Sequence, residues 1–173
     1  SEFREKWDTY ASDLAIRHVW AHVPDTFHAY MAFNQTIWLD QEDGMPLLLK
    51  EIAVIHASVL SHSSYEWGNH GAMLVRRGGT QEQLDAIIAG DVQSDLFDET
   101  EKLVPRFTTE VTIDAKPTEE TLTAMAELFT NKQIAQLVFA ICAYMLNSRF
   151  ANLGGCEIGD DEDFGMFLLG RKT

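Results

Sequence analysis

Apolar side chains recur at intervals of three and four along nearly the whole chain, and almost nowhere do they alternate as strands require. Phe3, Trp7, Tyr10, Leu14 and Arg17 fall on one stripe and predict a helix from Phe3 to about Trp20. Pro24-Asp25 suits a helix first turn, and Phe27, Tyr30, Met31, Asn34, Ile37 and Trp38 continue the period until Gly44 ends it. Pro46 opens a strongly apolar helix to about Ser61, with Leu49, Ile52, Ala53, His56 and Leu60 along one face. A further helix runs from about Ser64 to Arg77 and is closed by Gly78-Gly79, a left-handed stop.

The second half is punctuated by capping residues. Thr80 with Gln83 forms a capping-box pattern opening a short helix that ends near Gly90. Asp98 with Glu101 opens another, which Pro105 is expected to delay or kink. Acids after Pro117 favour a helix start there, since negative charge suits the positive end of the dipole. The last and longest helix spans about Thr130 to Asn152, and its Ile134–Met145 stretch, apolar nearly all round, is expected to be the buried centre. The expected fold is all-α: a compact single-domain bundle of about six to eight helices. An N-terminal helix occupies 1–22, the main body 23–155, and a tail over 156–173 is expected to dock on its own chain or on a neighbour.

Composition narrows the function classes. Apolar residues make up 46% of the 173 and support a packed core rather than a disordered chain. With 13 basic against 27 acidic residues the net charge is −14, which opposes binding to nucleic acid or to an anionic membrane surface. No uninterrupted apolar run is long enough to suggest a membrane span, and the charged first residues do not read as a signal peptide. Only Cys142 and Cys156 are present, too few for a disulfide framework or a thiolate metal site. A cytoplasmic location is the expectation.

Chemistry-bearing residues concentrate around the turn between the third and fourth helices. Glu66 and His70 stand four apart and share a helix face, and Glu51 precedes Glu66 by fifteen residues on the helix before. An antiparallel pairing of these helices about Ser61–Ser64 brings Glu51 to the same spot. A carboxylate beside an imidazole fixes its tautomer and suits proton transfer near neutral pH, and Tyr65 adds a phenol. By spacing alone such a pair is more often an exposed partnership than a catalytic one.

Leu49-Lys50-Glu51-Ile52-Ala53, Tyr65-Glu66-Trp67-x-x-His70, Gly78-Gly79-Thr80 and Glu82-Gln83-Leu84-Asp85-Ala86-Ile87 follow one another in an order and spacing that carry a family resemblance and favour the functional reading of the pair. The chain resembles the carboxymuconolactone decarboxylase-like proteins, which include the alkylhydroperoxidase D-type enzymes. The resemblance runs from about Val23 to Gly155 and takes in Gln136-Leu137 and Ala143-Tyr144-x-x-Asn147-x-Arg149. It implies an all-helical homo-oligomer, a trimer or hexamer, with a pocket between helices. In the peroxidase branch a Cys-x-x-Cys pair precedes the histidine, and those places hold Ser63 and Glu66 here, so thiol–disulfide cycling has no sulfur to use. The decarboxylase branch, which needs no metal or organic cofactor, is the better likeness, although Lys50 stands where an arginine is common.

That likeness implies His70 as proton donor or shuttle, Glu66 or Glu51 orienting it, and Tyr65 donating to a substrate carbonyl. Trp67, His62 and Ser63 are expected to line the substrate pocket. The substrate is expected to be a small molecule, a carboxylated lactone or related cyclic acid. The same residues leave open an isomerase, a dehydratase or a cyclisation catalyst, and a non-catalytic ligand-binding or scaffold oligomer. Lys50, Arg76 or a protonated histidine would offset the negative field for an anionic substrate. His18 and His22 lack a third ligand for a metal, and His56 reads as a core histidine. Trp7, Trp20 and Trp38 read as core or subunit contacts.

Overall fold

The computed structural model describes residues 14–39 and 41–158. Among them are eight helices and no strand: α1 (Ala15–Trp20), α2 (Pro24–Ile37), α3 (Leu47–Leu60), α4 (Ser64–Arg76), α5 (Gln81–Ala89), α6 (Glu99–Ile113), α7 (Glu119–Leu128) and α8 (Asn131–Gly154). The all-α expectation holds. The stripe through Phe3, Trp7 and Tyr10 and the tail from residue 159 onward lie outside the described residues.

The centre of the bundle is α3. Every side chain from Leu49 to Ser58 is buried, and α3 packs against α4, α5, α6 and α8. The sequence pointed to α8 for this role, and the structure corrects it. One face of α8 (Leu137, Ala140, Ile141, Tyr144) is buried, whereas Phe139 is 58% exposed and Cys142 and Leu146 also face outward. A helix apolar on all sides gives no signal of which side the core takes. By length and composition α8 could also cross a bilayer, which the reading of short apolar runs missed; here its inner face packs on α3 and α1.

Helix starts follow their local chemistry. Thr80 with Gln83, Asp98 with Glu101 and Thr130 with Gln133 each form a reciprocal capping box, and Thr118 caps α7 through the Thr121 amide. Pro105 neither delays nor ends α6, which begins at Glu99 and runs through it; the ring forfeits only the bond to the Glu101 carbonyl. Gly78, at φ 102°, supplies the left-handed step after α4 that a side chain resists.

Two joints set up the site. α2 ends at Ile37, well short of Gly44, because the buried Lys50 of α3 donates from Nζ to the Ile37 carbonyl at 2.8 Å. That anchors the next residue, Trp38. α1 packs along α8 so closely that a Cβ on Gly154 would clash with Val19 Cγ2. After α8 the chain turns back, and Ile158 rests against Gly68 of α4.

Candidate functional site

α3 and α4 pack against each other across the tight turn at Ser61–Ser63. The turn reverses at His62, whose φ of 54° is left-handed and whose side chain is exposed. The pairing brings Glu51 of α3 against His70 of α4, with Glu51 Oε2 accepting from His70 Nδ1 at 2.7 Å. Glu51 is wholly buried. Its other oxygen faces Arg77 Nη1 at 2.5 Å, an ion pair rather than an aligned hydrogen bond. A buried carboxylate needs such partners, since an unpaired charge here would cost several kcal/mol.

Aromatic rings enclose the imidazole. Trp38 stacks on His70 with centroids 5.3 Å apart, and Tyr144 meets it edge-on at 4.5 Å. The Arg77 guanidinium lies over Trp38, 4.6 Å from the ring centroid, and Trp38 Nε1 donates to the Tyr144 hydroxyl at 3.1 Å. Since Glu51 engages Nδ1, His70 has Nε2 left for a ligand.

These groups border a cavity of about 240 Å³, large enough for a compact cyclic metabolite. Its floor is Glu51, Glu66, His70 and Tyr65. Arg17 and Trp20 of α1 form one wall, Asn34 and Trp38 a second, and Tyr144 and Asn147 of α8 a third. Burial, and after it the charges of Glu66 and Glu51, hold the Tyr144 phenol well above its ordinary pKa, so it keeps its proton. Burial does the same for Tyr30 behind the wall. Among the described residues no three His, Cys, Asp or Glu side chains gather where a metal could sit.

Residues 24–103 match the family model described as the carboxymuconolactone decarboxylase family. The matched stretch carries Glu51, Glu66, His70, Trp38 and Arg77, while α1, Tyr144 and Asn147 lie outside it. A solved structure described as the alkylhydroperoxidase AhpD core, an uncharacterized peroxidase-related protein from Ralstonia eutropha JMP134, shares the fold. Its TM-score is 0.75 at 21% identity, with 94% of this chain and 85% of that one covered. No curated protein matches the chain.

Set against the carboxymuconolactone decarboxylase-like expectations, the structure gathers Glu51, Glu66, Tyr65 and His70 around one cavity and leaves three other candidates outside its lining. Trp67 packs on the core beside α3, because one step of 100° along α4 turns it away from the Glu66–His70 face. His62 points out from the turn, and Ser63 is buried at the N-cap of α4. The Tyr65 hydroxyl accepts from the Ile16 amide at 3.4 Å, which ties it to α1. Lys50 is spent on the end of α2 and Arg76 is exposed, so the cations at the cavity are Arg17 and Arg77. Trp20 and Trp38, read as core or subunit contacts, are cavity walls. His56 sits in the core, bonded to Thr109 at 2.8 Å, with burial lowering its pKa to about 4.

Proposed function

We propose that this chain is a small-molecule lyase of the decarboxylase type, acting without a cofactor on a carboxylated lactone or related cyclic acid. The observation that carries the reading is the 2.7 Å contact between a wholly buried Glu51 and a cavity-lining His70. Glu51 holds the imidazole in one tautomer and one orientation, the arrangement of an acid–base catalyst.

In the reaction, the bond between ring carbon and carboxylate carbon breaks and carbon dioxide leaves. The electron pair enters the conjugated carbonyl as an enolate, and His70 Nε2, having taken a proton from solvent while Nδ1–H stays on Glu51, delivers that proton to carbon. Arg17 and Arg77 supply positive charge for the substrate carboxylate within a chain of net charge −14. Thiol peroxidase chemistry fits less well: Cys142 is exposed on the outer side of α8, and neither it nor Cys156 lines the cavity. The apolar strip of Phe139, Leu146 and Leu153 on the outside of α8 supports assembly with further copies of the chain, as a trimer or hexamer.

Mass spectrometry of carboxylated lactones incubated with wild type and His70→Ala tests the reading. Loss of one carbon dioxide with wild type alone is expected. A product of unchanged mass would replace decarboxylation by isomerisation, and equal turnover by both proteins would remove His70 from the chemistry. The Cys142→Ser/Cys156→Ser variant is expected to retain turnover.

A further inference from the structure

Electrons leaving a breaking bond must settle on an oxygen, and that oxygen needs hydrogen-bond donors whose own acceptors are not already taken. Tyr65, assigned this task from sequence, has its hydroxyl against the Ile16 amide. The wall opposite offers better candidates. Tyr144 and Asn147 sit one turn apart on α8, both line the cavity, and they are only 4% and 5% exposed.

A chain of hydrogen bonds decides which end of each group faces inward. Asn34 Nδ2 donates to the Tyr30 hydroxyl at 3.2 Å, and Tyr30 donates to Asn147 Oδ1 at 2.5 Å, the nearer of its two acceptors, the Ala143 carbonyl lying at 3.3 Å. With Oδ1 occupied, the Nδ2 hydrogens of Asn147 have no acceptor among the described residues. Trp38 Nε1 likewise donates to the Tyr144 hydroxyl, leaving that O–H hydrogen without an acceptor among the described residues. Both donors are neutral, both are nine-tenths buried, and the Tyr144 ring lies 4.5 Å from the His70 ring. Buried donors left unmatched by the protein are matched by something else, and here that partner is an acceptor oxygen in the cavity.

We propose that Tyr144 and Asn147 form the oxyanion hole of this site, binding the conjugated carbonyl oxygen of the substrate, with Tyr30 as the positioning residue that orients the Asn147 amide. This rests on the proton-transfer reading of His70. As the carbon–carbon bond breaks, the carbonyl oxygen takes the electron pair and both hydrogen bonds strengthen; when His70 protonates carbon, the carbonyl re-forms. No proton passes to the oxygen. Tyr144 stays a donor here because burial and the negative charge of Glu66 both disfavour its phenolate.

The test uses an α,β-unsaturated γ-lactone without a carboxylate, ¹³C-labelled at the carbonyl, and the same ring with a methylene in place of that carbonyl. Binding is followed by quenching of Trp20 and Trp38, and the carbonyl stretch by difference infrared spectroscopy. Wild type is expected to bind the lactone with its stretch moved to lower frequency. Tyr144→Phe and Asn147→Ala are each expected to bind about tenfold more weakly and to lose part of the displacement, whereas the methylene analogue binds all three proteins alike. Tyr30→Phe leaves both donors in place and is still expected to reduce the displacement. Circular dichroism checks each fold, and should Asn147→Ala fail to fold, Tyr144→Phe carries the decision. Equal lactone affinity in wild type and Tyr144→Phe, an undisplaced stretch, or no lactone binding at millimolar concentration would overturn the assignment. His70→Ala separates the two readings: it is expected to bind the lactone within about twofold of wild type while losing turnover of the carboxylated lactone. Wild-type turnover by His70→Ala would sink the acid–base reading and leave the donor pair standing.

Discussion

The pairing of Glu51 with Arg77 predicts an asymmetry between two single substitutions. Glu51 is 0% exposed, whereas the Arg77 side chain is 21% exposed and rests on the face of Trp38. Removing one partner of a buried ion pair costs about 3–5 kcal/mol, most of it from the charge left behind. Arg77→Met strands the wholly buried carboxylate with His70 alone, so its cost belongs near the top of that range, about 4 kcal/mol. Glu51→Gln strands a guanidinium that water still reaches and that the indole still attracts by about 0.5–2 kcal/mol, so its cost falls to about 2–3 kcal/mol. The double variant carries neither charge and should be about 1 kcal/mol more stable than Arg77→Met alone. Urea unfolding at neutral pH measures all four proteins, provided the m-values agree. For a chain of this size each kcal/mol moves Tm by about 2–4 °C, so calorimetry resolves the same ranking. A Glu51→Gln cost equal to or above that of Arg77→Met would refute the argument from burial, and additive costs would show that the pair does not interact.

Three further outcomes are expected. His56 is neutral in the fold, with its pKa lowered to about 4 by burial, whereas the unfolded chain takes up that proton from about pH 6.5. The contribution is whole above pH 6.5 and is lost as pH falls to 4, about 3 kcal/mol in all; His56→Gln should flatten that part of the stability profile, and an unchanged profile would show that the proton is accommodated. Gly154→Ala puts a methyl into Val19, which is stiff at χ1, and should cost about 1–3 kcal/mol while loosening α1, seen as faster amide exchange over Ala15–Trp20; protection equal to wild type would count against the close fit. Thr130→Ala removes the capping-box acceptor of α8 and should cost about 1 kcal/mol, with an unfolding midpoint matching wild type as the contrary result.

What could be read from the chain follows the range of the forces involved. Caps, glycine stops and helical periods are local, and they placed every described helix apart from an early end to α2 and an uninterrupted α6. Glu51, Glu66 and His70 were legible because a four-residue spacing and one short turn bring them together. Arg77 was not: a cation at a helix end has an ordinary explanation in the dipole, which hid its reach to Glu51. Tyr144 was hidden in an apolar run, and Trp38 among aromatic residues that a core also wants. Nothing local tells a buried ring from one that walls a cavity, since both contacts are made by α8 and α2 arriving from distant sequence. Trp67 erred the other way, because adjacency in sequence to Glu66 is a rotation into the core on a helix.

The cavity is also a meeting place of two stretches of chain with separate duties. Glu51 and His70 come from α3 and α4 and Arg77 from the residue capping α4, all locked to one another across a single short turn. Arg17, Trp20, Tyr144 and Asn147 come from the first and last described helices; α1 packs on α8, and α8 in turn packs on α3. Changes at the cavity-facing positions of α1 reshape what the cavity admits, whereas changes on α8 also reach the proton-handling pair, through Tyr144 against the His70 ring. A scaffold arranged in this way can be re-targeted to new molecules at its first described helix, and random libraries confined to the cavity-facing residues of α1 are the economical place to search.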